Sequence, residues 1–342
     1  MPEGAIVGYG TIALGHLRAY VQVPRLRVTS VVDPTASRRL AATQAGLKAY
    51  ASLEELFARG PVEFLDICSP PDSHHHYIRE AVARQVPVVC EKPVFVPSEC
   101  GYDEILQVVR ESQSVVYPCQ NYKFAAVFDQ VSELIREGAL GDVQRVEVRI
   151  LRSGHALGVP EFDRDWRRRP EQSFGGILRD HGPHALYLAL SLAGLRPTEV
   201  SCLLGTMSED GPWETEDTAL VHLRCANGAE ADLSFSWASA RRSSRYAFVG
   251  TRGFVTVNDD ILTVARAGVV DNRTVTSDFN DSSHAAWFVD MLREFDDLMS
   301  RWPESRIRIR SALDEAVLTS VTIDAAYASA AQQGVWLPVG SP

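Results

Sequence analysis

The 342-residue sequence predicts an α/β fold in two parts: an N-terminal parallel sheet covered by helices, and a C-terminal α/β domain with an open, mostly antiparallel sheet. Three observations predict this. The first half alternates short, continuously apolar strands with helices, which is typical of a parallel sheet buried on both faces. Beyond Gly141 the strands alternate apolar and polar residues, as in a sheet with one exposed face. The chain is also too long for one typical core.

In the N-terminal half, each predicted strand is followed by a predicted helix. The helix after residue 52 opens with a capping box, in which Ser52 and Glu55 satisfy each other's backbone donors. The predicted strands cover residues 5–7, 28–32, 64–68, 86–90 and 114–119. The other predicted helices cover residues 12–21, 36–45, 74–84, 99–111 and 124–137.

The C-terminal half consists mainly of strands with period-two alternation, interrupted by one apolar helix at 176–193. Helices at 284–300 and 312–331 follow the last strand. The predicted strands cover residues 143–151, 198–206, 217–225, 229–238, 245–250 and 253–257. We therefore predict two domains, residues 1–122 and 123–342, with the last helices able to pack back on the first domain.

A glycine-rich turn joins the first predicted strand to the first predicted helix. Gly8 permits the tight turn, and Gly10 lets the backbone approach a pyrophosphate. Free N–H groups at Thr11 and Ile12 then open the helix, whose N-terminus favours an anion. The alternative is a turn that serves packing alone. Its place between a strand and a helix favours dinucleotide binding by a Rossmann domain.

Asp33 ends the second strand, where a carboxylate can accept hydrogen bonds from an adenosine ribose. The same charge would repel a 2′-phosphate. The sequence therefore predicts NAD in preference to NADP, although Arg38 and Arg39 lie near enough to weaken that preference.

Ser69-Pro70-Pro71 follows the strand at 64–68, at the carboxyl edge of the sheet where ligands bind. Three histidines, His74 to His76, then begin a helix. Neighbouring helix positions point about 100° apart, so these rings cannot hold one metal ion together, and we predict no bound metal. Asp72 or Ser73 is expected to start the helix.

Glu91-Lys92-Pro93 ends another strand at the same edge. The chain has only three lysines, so Lys92 is not one surface cation among many. A cation here can hold a substrate oxygen and stabilise negative charge that grows on it. The alternative is a surface lysine paired with Glu91.

Asp180 and His184 lie four residues apart and share one face of the helix at 176–193. A histidine titrates near neutral pH, and a neighbouring carboxylate can orient it or share a substrate hydroxyl. The alternative is a capped helix with a satisfied core histidine. Pro183 is expected near the helix start, or as a kink.

The composition excludes several classes of function. The formal charge of −10 argues against nucleic acid, since phosphate would be repelled, and leaves room for a cationic or neutral substrate. Six cysteines form no C-x-x-C, so neither a disulfide framework nor a zinc site is expected. The first apolar stretch is too short and glycine-rich for a signal peptide or a membrane span. We expect a cytoplasmic protein without membrane partners.

Taken in order, these motifs resemble the glucose-fructose oxidoreductase / inositol dehydrogenase / rhizopine-catabolism (Gfo/Idh/MocA) oxidoreductases over nearly the whole chain. Several motifs in the right order are more specific than any one. The resemblance is carried by the glycine loop with Gly15-His16, Ser69-Pro70-Pro71 with His74, Glu91-Lys92-Pro93, Asn121-Tyr122-Lys123-Phe124, Asp165-Trp166-Arg167, Gly175-Gly176, Asp180 with His184, Gly250-Thr251-x-Gly253 and Gly334-x-Trp336.

The resemblance implies a Rossmann domain that binds NAD, and a C-terminal sheet that commonly pairs with its equivalent in homodimers or homotetramers. It implies that Lys92, Asp180 and His184 meet above the nicotinamide. The other cofactor contacts that it implies are Ser69, Pro70, His74 and Glu91, with Asn121, Trp166 and Arg167 lining cofactor or substrate.

Loop position adds Tyr122, His155 and Asp163 as predicted substrate contacts. His181 is also predicted to face the substrate. Many members carry an apolar residue there, so proton routing or pocket polarity can differ.

These residues predict an NAD-dependent oxidoreductase that moves a hydride between nicotinamide and a secondary alcohol or ketone of a sugar, cyclitol or aminosugar. An aminoglycoside or another secondary-metabolite sugar is one candidate substrate. His184 would take the hydroxyl proton, Lys92 would steady the oxygen, and Asp180 would orient both. The alternatives are a glycosidase that retains NAD and cleaves by transient oxidation, and a non-catalytic sugar sensor; the presence of Lys92 counts against the sensor.

Overall fold

The computed structural model describes residues 1–97, 102–112, 114–161, 163–208, 213–277, 279 and 285–340. Within these residues the chain forms a six-stranded parallel sheet followed by a nine-stranded, mostly antiparallel sheet. The predicted α/β class and the change from parallel to antiparallel pairing are confirmed.

The parallel sheet has the strand order β3-β2-β1-β4-β5-β6. The order reverses between β1 and β4, so the carboxyl ends of these two strands flank the crevice where such sheets bind ligands. The strand β3 was not predicted, because it has three residues and none of them is fully buried. The strands are Glu3–Val7 (β1), Arg27–Val32 (β2), Lys48–Tyr50 (β3), Phe64–Ile67 (β4), Val88–Cys90 (β5) and Val116–Pro118 (β6).

Helices accompany the first six strands as predicted, with differences at their starts, although the last of them, Ala126–Arg136, packs in the core of the second sheet. The hydroxyl of Ser52 accepts the N–H of Glu55, but the Glu55 carboxylate accepts the N–H of Ala51 instead of that of Ser52. Ser73 does not cap α4, because its hydroxyl donates to the carbonyl of Pro70. The helices are Thr11–Tyr20 (α1), Ala36–Gln44 (α2), Leu53–Ala58 (α3), His74–Val82 (α4), Tyr102–Glu111 (α5) and Ala126–Arg136 (α6). The first predicted residues of α5, 99–101, lie outside the described residues.

The second sheet has the order β14-β13-β12-β11-β7-β10-β9-β8-β15, and only β7 and β10 pair in parallel. The strands β13 and β14 were not predicted, and β14 is exposed throughout, so it lacks apolar alternation. The strands are Val143–Leu151 (β7), Pro197–Gly205 (β8), Thr218–Cys225 (β9), Glu230–Ser236 (β10), Ser243–Gly250 (β11), Gly253–Asn258 (β12), Ile261–Arg266 (β13), Val269–Thr274 (β14) and Leu337–Pro338 (β15).

Four further helices are described in the C-terminal part of the chain: Pro170–Ser173 (α7), Ile177–Ala193 (α8), Ala285–Ser300 (α9) and Arg306–Ala331 (α10). Helix α8 packs on one face of the sheet against β7, β9 and β10, with Pro183 inside the helix. Helix α9 packs against α1, and its Phe288, Met291 and Phe295 join the core of the first sheet. Helix α10 contacts both β6 and β8 and thereby links the two sheets. Among the described helices, none is both long and apolar enough to cross a membrane.

Candidate active site

The glycine turn after β1 lies against the loop that follows β4. Gly8 has a φ of +88°, and its N–H donates to the carbonyl of Val32 at 2.8 Å. A Cβ on Gly8 would lie 2.8 Å from the Cα of Ser69. The left-handed backbone and the close approach both require glycine at this position.

The start of α1 offers space and backbone donors for an anion. A Cβ placed on Gly10 would meet nothing within 4 Å. Within the described part of the chain, no side chain caps this helix, and Thr11 and Ile12 at its start are exposed. Open space beside uncapped N–H groups fits the pyrophosphate of a dinucleotide.

Asp33 is held in a fixed orientation at the end of β2. Its two carboxylate oxygens accept the N–H groups of Tyr9 and Thr35, each at 2.8 Å. Arg38 lies next to it, stacked over the Tyr9 ring at 5.2 Å and bonded through Nε to the Tyr9 carbonyl at 2.8 Å. The arrangement suits a ribose hydroxyl at Asp33 and keeps a cation close by.

Lys92, which follows β5, and Asp180, in the first turn of α8, form the contact that joins the two halves of the site. The Lys92 ammonium donates to Oδ1 of Asp180 at 2.8 Å and to its carbonyl at 2.6 Å. The side chains remain 18% and 14% exposed, so both are accessible. The Lys92 ammonium therefore pairs with Asp180 and not with the Glu91 carboxylate, which was the alternative.

The second oxygen of Asp180 lies 3.4 Å from Nε of Arg167 and 3.8 Å from Nε2 of His181. Burial raises the pKa of the Asp180 carboxyl, but Lys92 and Arg167 outweigh burial and hold that pKa well below its usual range. Burial lowers the pKa of His181 to about 3 against the pull of Asp180. At neutral pH the site therefore holds an ionised Asp180 and an uncharged His181.

His184 is buried one turn beyond Asp180 on α8. Its Nδ1 lies 2.8 Å from the hydroxyl of Tyr187, which also accepts the N–H of Tyr122 at 3.1 Å. The ring of Tyr122 stacks on the imidazole at 4.1 Å. Burial raises the pKa of Tyr187 well above its usual value, so the phenol is neutral. Tyr187 was missed in the sequence, where it looks like a core aromatic; its i, i+3 spacing from His184 was the available signal.

Behind Lys92 lies a fully buried ionic network. His16 on α1 bonds Asp66 through Nδ1 at 2.8 Å and Glu91 through Nε2 at 3.0 Å. Burial lowers the pKa of His16, but Asp66 and the other partners raise it well above the usual value, so the imidazole is protonated. The other Glu91 oxygen accepts the N–H of Lys92 at 2.9 Å. The network thus fixes the backbone that carries the Lys92 ammonium.

The start of α8 is fastened by a residue that the sequence did not reveal. The Glu216 carboxylate accepts the N–H groups of Gly176 at 2.9 Å and Leu178 at 3.0 Å, and the hydroxyl of Tyr327 at 2.8 Å. A Cβ on Gly176 would lie 1.8 Å from the Glu216 carbonyl oxygen. This cap sets the position of the helix that carries Asp180 and His184.

Comparison with known families decides the class of the protein. Residues 3–120 match the oxidoreductase family with an NAD-binding Rossmann fold, and residues 128–256 match the GFO/IDH/MocA C-terminal domain. The chain belongs to the Gfo/Idh/MocA oxidoreductase family. Its N-terminal half is the family's NAD-binding domain, in agreement with the space at Gly10 and the carboxylate of Asp33.

Named relatives of this Gfo/Idh/MocA chain are distant in sequence. An oxidoreductase of Schizosaccharomyces pombe is 28% identical over 217 residues, 60% of this chain and 55% of that protein. D-apiose dehydrogenase of Rhizobium rhizogenes is 25% identical over 240 residues, 69% of this chain and 66% of its own. Inositol 2-dehydrogenase of Rhizobium meliloti is 25% identical over 235 residues, which are 68% of this chain and 67% of that protein. The matched region thus spans about half to two thirds of these relatives.

Solved structures with the same fold cover almost the entire chain. Levoglucosan dehydrogenase in complex with NADH superposes with a TM-score of 0.84 at 19% identity, covering 100% of both chains. An inositol dehydrogenase homologue from Azotobacter vinelandii complexed with NAD+ gives 0.84 at 21% identity, covering 98% and 97%. At this identity the likeness establishes the fold alone.

Several residues predicted for the site in this family member have other contacts. His74 is fully buried, and its two nitrogens face the carbonyls of Ser69 and Pro93 at 2.9 Å, so it links two loops; its cofactor contact stays a prediction. One oxygen of Glu91 faces His16 and the other accepts the N–H of Lys92, so in this structure its carboxylate supports the Lys92 backbone; its cofactor contact stays a prediction. Pro70 lies half-buried beside Ser69, close to the glycine turn.

The loop after β7 contains two residues that were predicted to contact the substrate. His155 is buried, packs edge-to-face with the rings of Trp213 and Trp237, and lies 3.1 Å from Asp165, so its contacts in this structure support the loop. Asp163 pairs with Arg169 and accepts the N–H of Asp165, which commits its carboxylate within the loop. Loop position alone does not encode where such side chains point.

The remaining predicted residues surround the Lys92–Asp180 pair or the adjoining turn. Arg167 stacks over Trp166 at 4.3 Å while facing Asp180. Asn121 and Tyr122 are buried in the short helical turn after β6. Tyr122 therefore packs on His184 as a supporting ring.

Proposed function

We propose that this protein is an NAD-dependent dehydrogenase that oxidises a secondary alcohol of a sugar or cyclitol, or reduces the matching ketone. The observation that carries the proposal is the 2.8 Å contact between Lys92 and Asp180, which joins a cation at the carboxyl edge of the NAD-binding sheet to the helix that carries His184. The names of the relatives, D-apiose dehydrogenase and inositol 2-dehydrogenase, support the same class of substrate.

The residues of this chain divide the work as follows. The Lys92 ammonium holds the substrate oxygen and stabilises the charge that develops when its proton leaves. Asp180 keeps the ammonium oriented. His184 receives the proton at Nε2 while its Nδ1 faces Tyr187. When bound, NAD supplies the nicotinamide that takes the hydride.

The groups that would hold NAD are the turn at Gly8 and Gly10, the start of α1 at Thr11 and Ile12, and the Asp33 carboxylate. We propose NAD over NADP, because the fixed charge of Asp33 opposes a 2′-phosphate. The cysteines of the described residues are free and buried, which supports a cytoplasmic location. The division at residues 122 and 123 stays a prediction.

The proposal is tested by incubating the purified protein with NAD+ and a panel of sugars, polyols and cyclitols while NADH absorbance is followed. We expect net NADH from at least one secondary alcohol, with the ketone as product. Release of free sugar from a glycoside without net NADH would identify an NAD-retaining glycosidase instead. Sugar binding without either reaction would identify a sensor.

We also propose that the chain forms homodimers or homotetramers through the outer face of the second sheet. Exposed apolar side chains occupy directly paired positions on that face: Leu203 opposite Leu220, and Val249 opposite Phe254. Light scattering after size exclusion would test this. Val249→Glu should lower the measured mass if the face is the interface, and a monomeric wild-type protein would contradict the proposal.

A further inference from the structure

Four positively charged side chains lie around the proposed substrate position. Lys92 and Arg167 both face Asp180. Two further arginines, Arg152 and Arg242, lie near enough to His181 to contribute to its lowered pKa, and Asp259 lies near Arg242. This cluster of cations stands out in a chain whose formal charge is −10.

Arg152 is the most unusual of the four. Arg152 directly follows β7 in the chain, and it is only 4% exposed. Its terminal nitrogens donate to the carbonyls of Leu151 and Ser243 and to the hydroxyl of Ser244, all neutral acceptors. Its Nε has no hydrogen-bond partner, and none of the carboxylates in the described residues lies within 4.0 Å. A buried guanidinium stays charged, so an anion nearby would stabilise it.

The topology places both arginines beside the catalytic helix. Strands β7 and β10 run parallel, and β11 runs antiparallel to β7, so Leu151 pairs with both Ser236 and Ser243. Arg152 comes directly after Leu151, and Arg242 directly before Ser243. They therefore lie at the edge of the sheet where α8 begins. Trp237, next to Ser236, donates its N–H to the carbonyl of Asp217, and the neighbouring Glu216 caps the start of α8.

Arg152 and Arg242 have different parts in such a site. Arg242 is half-buried and can contact a ligand, whereas Arg152 is covered and acts through its charge. Because neutral hydrogen bonds already hold Arg152 in place, its charge points to an electrostatic role that the fold itself does not use.

We propose that the substrate is an anionic polyol, a sugar or cyclitol with a carboxylate or phosphate group, and that this group binds next to Arg242 in the field of Arg152. The inference rests on the proposed function, since the anion belongs to the molecule whose hydroxyl meets Lys92. It replaces the aminosugar named above as one candidate substrate, because an ammonium group would be repelled by the same arginines.

The test compares sets of sugars that share a ring and differ in one substituent. The gluco, galacto and manno sets each contain the neutral sugar, the uronate, the 6-phosphate and the 2-amino sugar. Calorimetry of the protein with NAD+ bound gives the dissociation constant of each. We expect a uronate or a 6-phosphate to bind about tenfold tighter than its neutral partner, and the amino sugar to bind most weakly. Whichever of the uronate and the 6-phosphate has the lower dissociation constant shows whether the site prefers a carboxylate or a phosphate.

Arg242→Gln should remove this preference, while Arg241→Gln, at the exposed neighbouring position, should keep it. Arg152→Gln should weaken anion binding as well, and Arg152→Lys should restore part of it. Thermal melting shows whether the Arg152 variants are folded. If they are not, the comparison of Arg242→Gln with Arg241→Gln alone tests the inference. Neutral sugars that bind as tightly as both anions would overturn the inference.

Turnover separates this inference from the proposed function. Oxidation of neutral sugars with the same efficiency as of their anionic partners would leave a dehydrogenase without an anion site. Tight anion binding without any turnover would keep the anion site and remove the dehydrogenase.

Discussion

The hydroxyl of Tyr187 lies 2.8 Å from Nδ1 of His184, one turn further along the same helix. The same oxygen accepts the N–H of Tyr122, whose ring covers the imidazole. One phenol thereby ties the proposed base to the turn after β6. The orientation of His184 depends on a neutral group, so it should persist across the pH range in which the enzyme works.

Removal of this phenol should slow turnover without preventing folding. Tyr187→Phe keeps the ring and loses one buried hydrogen bond, worth about 1 kcal/mol, so we expect kcat to fall about fivefold to tenfold. The KM for NAD+ should stay unchanged, since the Tyr187 hydroxyl contacts His184 and the N–H of Tyr122 and not the glycine turn. Steady-state kinetics check both values. An unaltered kcat would show that Tyr187 does not position His184.

Replacement of Lys92 should have a much larger effect. Lys92→Met keeps the length of the side chain and removes the donor, which typically costs about two to three orders of magnitude in kcat. NAD+ binding, measured by calorimetry, should survive. The matched control is Lys48→Met, at an exposed lysine on β3, which should retain wild-type turnover. Near-normal turnover of Lys92→Met would remove this residue from the mechanism.

The cofactor preference should depend on Asp33. Asp33→Ser removes the charge that opposes a 2′-phosphate, while Arg38 stays close by. We expect the ratio of kcat/KM for NADP+ to that for NAD+ to rise by about tenfold or more. Addition of Arg38→Ala to this variant should reverse most of the gain. A ratio that does not move would mean that the ribose binds elsewhere.

The buried network at His16 predicts how stability varies with pH. An unfolded histidine has a pKa of about 6.5, and the folded pKa of His16 lies well above its usual value. The contribution of the charged ring is therefore full below about pH 6.5 and is lost as the pH rises through the folded pKa. Removal of one partner of a buried ion network costs about 3–5 kcal/mol.

Urea denaturation of the wild type and His16→Gln between pH 6 and pH 9 measures this contribution. The difference in free energy of unfolding should be largest at pH 6 and should shrink as the pH rises. His76→Gln, at an exposed position, serves as the control. A difference that grows with pH would contradict the assignment of a charged His16.

The meeting of Lys92 and Asp180 is what the resemblance to the family implies, since no pattern in the sequence places α8 beside the first sheet. Regular patterns predict only its two parts: parallel strands bring Lys92 to the carboxyl edge of the sheet, and helical spacing places Asp180 and His184 on one face. Arg152, Arg242 and Glu216 could not be found this way. Their roles depend on the pairing of strands far apart in the chain, and period-two alternation does not encode that pairing.

Where the chain is irregular, the sequence says less. Position in the loop after β7 suggests His155 and Asp163 as substrate contacts, which stays a prediction, but it does not reveal the aromatic packing and the ion pair that hold these two side chains. The strand β14 escaped notice because it lacks a buried face. Side-chain direction and edge strands are set by tertiary contacts that no local pattern records.

The hydroxyl that Tyr327 donates to Glu216 makes a distant segment part of the support of the reaction. Tyr327 belongs to α10, whereas the residues proposed to react lie directly after β5 and on α8. Trimming the chain ahead of Tyr327 would release the Glu216 carboxylate from one of its three donors and loosen the first turn of α8. Substitutions that inactivate the enzyme should therefore occur in α10 as well as among the residues that contact the substrate. Shortened forms of the chain would lose activity before they lose the ability to bind NAD+.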